Sequence, residues 1–219
     1  MAKKTFAVIG LGRFGMAVVE ELIKSDREVL VIDNNQDRIT KVAKIATHAV
    51  VLDTSDESAL KEVGIQSIDH VIVSIGKDIK NSILTTLILK ELGVKKVTVK
   101  VQNDYHQKVV DRLGADETVQ PEQEAGRRLA HQVLSENILE FYDLSDKHSF
   151  ITLKATPKLI EMTVANLDLR DRFRLNLVAI KRNGDVIIPS PENVFQEGDQ
   201  LLVVGENRDL QKFSIWSEK

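Results

Sequence analysis

Five short runs of aliphatic and β-branched residues alternate with stretches whose apolar residues recur three and four apart, and this alternation dictates the fold of the first half of the chain. The runs are Phe6 to Ile9, Val29 to Asp33, Ala49 to Leu52, Val71 to Ile75 and Val97 to Val101. Between them lie Met16-Ala17-Val18-Val19 with Leu22 and Ile23, then Ile39, Val42 and Ala43, then Ile83, Leu84, Leu87, Ile88 and Leu92. Each group lines up on one helical face. Runs that are apolar throughout belong to strands covered on both faces. Parallel neighbours need a crossover long enough to return over the sheet, and the helical stretches supply it. The pattern predicts an α/β fold: a doubly wound parallel sheet with helices on both faces.

The pattern changes after Pro121. Glu122 to Ser135 reads as a polar helix with acids in its first turn, where the helix dipole favours negative charge. A short apolar patch, Leu139 to Leu144, and the polar stretch Ser145 to Ser149 follow. The domain boundary is placed between about Ser135 and Ser149, giving a first domain of residues 1–135 that includes the crossover helix and a second of 136–219. In the second, Phe150 to Ala155, Leu175 to Lys181, Val186 to Ile188 and Leu201 to Gly205 read as strands and Arg208 to Ile215 as a closing helix. Asn183-Gly184 is a two-residue hairpin signal. This small α+β unit has about 70 residues, which is marginal for folding alone and predicts pairing with a second copy.

Gly10-Leu11-Gly12-Arg13-Phe14-Gly15 stands directly after a strand and before a helix, the context in which G-x-G-x-x-G binds dinucleotides. Gly10 makes the tight turn, Gly12 admits a pyrophosphate to the backbone, and Gly15 permits close helix-to-strand packing. The second strand ends in Asp33, followed by Asn34. Asp33 lies 18 residues past Gly15, near the spacing of a carboxylate that holds ribose hydroxyls. This makes the sheet Rossmann-like. Alternatively, Asp33 caps the helix beginning near Gln36. Asp53 and Thr54 end the third strand, where adenine could bind or where they could be ordinary loop residues, and Ser74-Ile75-Gly76 end the fourth on the ligand side. A ribose-binding Asp33 disfavours a 2′-phosphate, so NAD or an adenosine nucleotide is expected. Arg13 offers a bidentate donor to terminal phosphate oxygens, in its own subunit or across an interface. Its alternative role is that of a solvated arginine.

Composition narrows the function. Among 219 residues there is no cysteine, which removes thiol nucleophiles, zinc thiolates and iron–sulfur clusters and fits a reducing compartment. Thirty Lys and Arg against 33 Asp and Glu give a formal charge of −3, which argues against a broad nucleic-acid surface. The basic opening Met1 to Lys4 leads into an apolar stretch broken by Gly10, Gly12 and Gly15, so no signal peptide or membrane span is expected and the chain is placed in the cytoplasm. His48, His70, His106, His131 and His148 form no catalytic or metal motif. A regulator is therefore expected rather than an enzyme, with a small NAD-dependent oxidoreductase as the alternative and a free-standing nucleotide sensor as a third class.

Three segments together resemble a known family. Phe6 to Gly15, Leu84 to Gly93, and Gly114-Ala115-Asp116 followed by Pro121-Glu122 look like the KtrA/TrkA regulatory subunits of bacterial potassium uptake systems. The resemblance runs the full length: an RCK (KTN) nucleotide domain, a crossover helix, and a TrkA-C domain matched from Leu177 through Gly205. It implies a cytosolic gating ring of dimers, typically octameric, beneath a KtrB- or TrkH-like ion-translocating subunit, and so peripheral at the inner face of the membrane. It further implies that ATP and ADP compete at the glycine loop and that NAD(H) binds in some members. Phosphates would meet Gly12, Arg13 and Phe14, with Arg13 reaching the γ-phosphate in the neighbouring subunit. Asp33 would hold the ribose, and Asp53 and Thr54 the adenine. Glu122 matches a family glutamate that helps hold a cation (Mg, Ca or Na) between paired subunits, although it also suits a plain helix N-terminal acid. Some TrkA-C domains bind cyclic di-AMP between two copies. Arg174 to Leu177 and Ile187-Ile188-Pro189 match that groove, and Arg174-Leu175-Asn176 departs from the pattern of many relatives.

Overall fold

The structure is a computed structural model that describes residues 4–134 and 137–218. It forms two compact units that divide between Pro121 and Glu122. The boundary expected at residues 135 and 136 lies outside the described residues.

The first unit carries strands β1 (Phe6–Ile9), β2 (Val29–Asp33), β3 (His48–Val51), β4 (His70–Val73), β5 (Val97–Lys100) and β6 (Glu117–Val119). Its helices are α1 (Arg13–Lys24), α2 (Gln36–Val42), α3 (Glu57–Glu62), α4 (Ile79–Glu91) and α5 (Asp104–Arg112). The strands pair in parallel in the order β3-β2-β1-β4-β5-β6, so the strand order reverses between β1 and β4. Ligands of such sheets bind at that crevice, outside the carboxyl ends of the strands. The unbroken apolar runs divide by alternation between two cores. Ala7, Ile9, Leu30, Ile32, Val71 and Val73 pack on one face with Leu60, Ile88, Leu89 and Val110. Val8, Val29, Val31 and Ile72 pack on the other with Val19, Ile39 and Val42. Each fully buried aliphatic side chain of this kind stabilises by roughly 1.5–3 kcal/mol. The strand β6 has no apolar run to announce it. Its placement comes from pairing, Thr98 with Glu117 and Lys100 with Val119.

The second unit begins in α6 (Pro121–Leu134) and continues through β7 (Ile138–Asp143), β8 (His148–Lys154), α7 (Val164–Leu167), α8 (Leu169–Phe173), β9 (Asn176–Arg182), β10 (Asp185–Ile187), β11 (Gln200–Glu206) and α9 (Asn207–Glu218). The five strands form an antiparallel sheet in the order β10-β9-β11-β8-β7. The apolar patch Leu139 to Leu144 thus falls largely within an edge strand. Asn183 and Gly184 take φ of 52° and 93°, the pair of positive values that a type I′ hairpin turn demands. Ile151, Leu153, Leu175, Ile180, Phe195, Leu201, Val203 and Phe213 fill the core.

Candidate functional site

The site is built from the β1–α1 turn outward. Gly10 has φ of +94°, and a Cβ there would lie 2.8 Å from the Ser74 carbonyl oxygen at the end of β4. A Cβ on Gly15 would overlap the Gly10 carbonyl oxygen and stand 3.0 Å from Ser74 Oγ. Both glycines are therefore required by the fold itself, one for the turn and one for the approach of α1 to the sheet. Gly12 differs. Its φ of −68° suits any residue, and a Cβ there would meet nothing within 4 Å. No neighbour within the unit requires this glycine, so the space beside its backbone is available to a ligand.

The start of α1 is prepared for an anion. The helices α2, α3, α4 and α5 are capped by Asn35, Asp56, Asp78 and Asn103, each accepting from a first-turn backbone N–H. The N-cap of α1 is Gly12, which provides no side-chain acceptor, and its first turn holds no acid. The N–H groups that open a helix have no intrahelical partner, and together with the dipole they bind phosphate. Arg13, an exposed cation at the first helical position, is unfavourable for the helix dipole alone but suits an incoming anion.

Asp33 is buried, with 4% of its surface exposed. Its Oδ2 accepts from the Leu11 amide at 2.6 Å and from Arg38 Nη1 at 3.2 Å, and its Oδ1 accepts from the Asn35 amide at 2.8 Å. The carboxylate thus ties the end of β2 to the glycine loop and holds the loop in shape. It does not cap α2, because Asn35 does so by accepting from the Arg38 amide. Asn34 is exposed beside it.

The remaining predicted residues separate. Asp53 is exposed after β3, and hydrogen bonds from the Ser55 amide and hydroxyl hold its carboxyl below the usual range. Thr54 is buried, and its Oγ1 lies 2.8 Å from Thr85 Oγ1 on α4, so its hydroxyl serves the interior. Gly76 lies past the end of β4, where a Cβ would stand 3.8 Å from Lys100 Nζ. Lys100 Nζ also lies 5.7 Å from the centre of the Phe14 ring. Lys100 was not expected. Its position as the last residue of β5 is the signal that could have found it, since a strand-end cation in this fold faces the ligand crevice. Ser74 Oγ, buried beside Gly15, has no hydrogen-bond partner among the described residues.

Glu122 stands in the first turn of α6, with Glu124. Among the described residues no three His, Cys, Asp or Glu side chains group closely enough to hold a metal ion. The histidines have separate local roles. His70 Nε2 lies 2.8 Å from Thr98 Oγ1, His131 stacks on Phe141 with ring centres 3.7 Å apart, and buried His106 accepts through Nδ1 from the Gln102 amide.

Against known proteins, the TrkA-N domain model matches residues 6–121 and the TrkA-C domain model residues 149–214. Ktr system potassium uptake protein C of Bacillus subtilis (strain 168) is 47% identical over 212 residues, covering 96% of this chain and 96% of that protein. Ktr system potassium uptake protein A of the same organism is 41% identical over 211 residues, covering 96% and 95%. The solved GsuK channel matches the fold with a TM-score of 0.72 at 16% identity, covering all of this chain, which spans 40% of the channel chain. Two domain matches in the expected order, and relatives alike from end to end, place this chain in the KtrA/TrkA family of RCK proteins.

Proposed function

We propose that the chain is the regulatory, non-enzymatic subunit of a Ktr/Trk-type potassium transporter, and that an adenosine nucleotide at the glycine loop sets its state. The observation that carries the ligand is the start of α1, uncapped by any side chain and open beside Gly12. The near full-length likeness to two Ktr uptake proteins supports the transport role and does not favour the oxidoreductase alternative. No described helix is long and apolar enough to cross a membrane. In this reading translocation belongs to a KtrB- or TrkH-like partner in the membrane, with this subunit on its cytoplasmic side.

In this reading phosphates sit on the Gly12, Arg13 and Phe14 amides and Asp33 faces the ribose. Exposed Asp53, rather than Thr54, is the side chain offered to adenine. ATP differs from ADP by a γ-phosphate that Arg13 of a neighbouring copy clamps, so ATP alone draws nucleotide domains into the activating arrangement. Moving a two-state ring from 1:99 to 99:1 takes about 5.5 kcal/mol of differential binding, or about 0.7 kcal/mol at each site of an octamer. Dimers assembled into such a ring are therefore a natural device. Glu122, which belongs to no metal-holding group of three His, Cys, Asp or Glu side chains among the described residues, would join donors of a second copy around a cation (Mg, Ca or Na), for which a hard oxygen ligand is suited. NAD(H) is a further candidate at the glycine loop, and cyclic di-AMP at the second unit.

The test is a thermal-shift and calorimetric comparison of ATP, ADP, NADH and cyclic di-AMP on the full chain and on Arg13→Ala, followed by potassium flux with a reconstituted membrane subunit. Arg13→Ala should leave ADP affinity nearly intact and remove the preference of flux for ATP. Equal loss of both nucleotides would refute the clamp.

A further inference from the structure

We infer that the ribose end of the glycine-loop site tolerates a 2′-phosphate, so that 2′-phosphorylated adenosines bind there about as well as plain ones, and that Arg38 is the residue responsible. This rests on the nucleotide reading above and concerns the specificity of that same site.

The argument begins with acceptor capacity. A carboxylate offers about four lone-pair sites. In Asp33, Oδ2 already accepts from the Leu11 amide and from Arg38 Nη1, and Oδ1 accepts from the Asn35 amide. One site remains, on Oδ1. A single ribose hydroxyl can use it, whereas a diol that donates twice to Asp33 must first displace Arg38.

Charge gives the second half. An acid at this position ordinarily selects ribose hydroxyls and repels a 2′-phosphate, while an arginine nearby accommodates the phosphate. Here both are present and paired to each other. The Asp33 side chain is 3% exposed, and three hydrogen-bond donors spread its charge. The Arg38 side chain is 52% exposed, with N–H donors beyond the one that Asp33 takes. Guanidinium forks match phosphate oxygens better than any other side chain. A 2′-phosphate beside Asp33 would therefore meet a covered anion already paired with an accessible cation, whose attraction offsets the repulsion. The expectation that Asp33 selects against 2′-phosphates considered the acid alone. Sequence spacing does not reveal the 3.2 Å ion pair.

The experiment titrates the full chain at low salt with 5′-AMP and with adenosine 2′,5′-bisphosphate, in the wild type, Arg38→Gln and Arg38→Lys. The wild type should bind the two within about threefold of each other, and Arg38→Gln should weaken the bisphosphate about tenfold or more relative to AMP, a difference of about 1.4 kcal/mol. Arg38→Lys should keep most of the tolerance, showing that charge and not local structure is read. The ratio of the two ligands cancels any general change in the site. A wild type that prefers AMP about tenfold or more, or a ratio unchanged in Arg38→Gln, overturns the inference while leaving the nucleotide site standing. If neither ligand binds, this inference falls, and if ATP and ADP do not bind either, the nucleotide reading falls with it.

Discussion

Replacing Gly12 by alanine should separate ligand binding from folding. The backbone at Gly12 has φ of −68° and ψ of −178°, which alanine adopts freely, and the new methyl group would meet nothing within 4 Å. Restricting the unfolded chain stabilises by about 0.4–1 kcal/mol. Alanine is a poorer N-cap than glycine, which costs a similar amount, of order 0.5–1 kcal/mol. The two nearly cancel, so the unliganded melting midpoint should stay within a degree or two. Binding should not survive so well, because the methyl group takes the space in which a phosphate would approach the α1 amides. ATP at 100 times its Kd stabilises the wild type by about 2.7 kcal/mol, which for a chain of this length raises the midpoint by about 5–11 °C. If alanine weakens ATP about 100-fold, the same concentration yields only RT ln 2, about 0.4 kcal/mol, or about 1 °C. Differential scanning fluorimetry with and without ATP reads both quantities. A full ATP shift in Gly12→Ala would refute backbone approach at this glycine, and an unliganded midpoint lowered by more than about 5 °C would refute the open space.

Gly15→Ala should behave in the opposite way. Its methyl group would overlap the Gly10 carbonyl oxygen, so the backbone must shift, and a loss of about 1–3 kcal/mol or more is expected by urea denaturation even without ligand. An unchanged urea midpoint would show that α1 is not held as close to β1 as described. His106 predicts acid sensitivity: burial holds its imidazole below the usual value, and its Nε2 has no hydrogen-bond partner among the described residues. The unfolded chain therefore takes up a proton near pH 6.5 before the folded one does, and stability present above that pH is lost as pH falls below it. His106→Asn should flatten the stability difference between pH 7 and pH 5.5, and an undiminished slope would assign the sensitivity elsewhere. His70, also lowered by burial, contributes with the same sign.

Most of the first unit could be read from the chain because parallel strands buried on both faces leave continuous apolar runs, and β1, β2, β4 and β5 lie within a residue or two of their expected bounds. The strand β6 was missed because Glu117-Thr118-Val119 is held by an edge pairing and not by its own burial. Thr54 and Asp53 show the limit at the site. Adjacent residues just past a strand look alike in sequence, yet Asp53 takes the Ser55 amide and hydroxyl at the surface while Thr54 turns inward, and only the fold brings Thr85 to meet it.

The first five parallel strands with α1, α2 and α4, the glycine loop between β1 and α1, the hairpin at Asn183-Gly184 and the acid that ends β2 were determined by sequence alone, because each depends on local periodicity or on a backbone geometry that few residues permit. Tertiary structure decided what those residues touch. It showed which of the three loop glycines the fold needs and which it leaves open, brought Lys100 beside Phe14 and Gly76, and set Arg38 against Asp33. Such contacts depend on distances across a sheet or over a turn, and a linear pattern of residue types does not carry them.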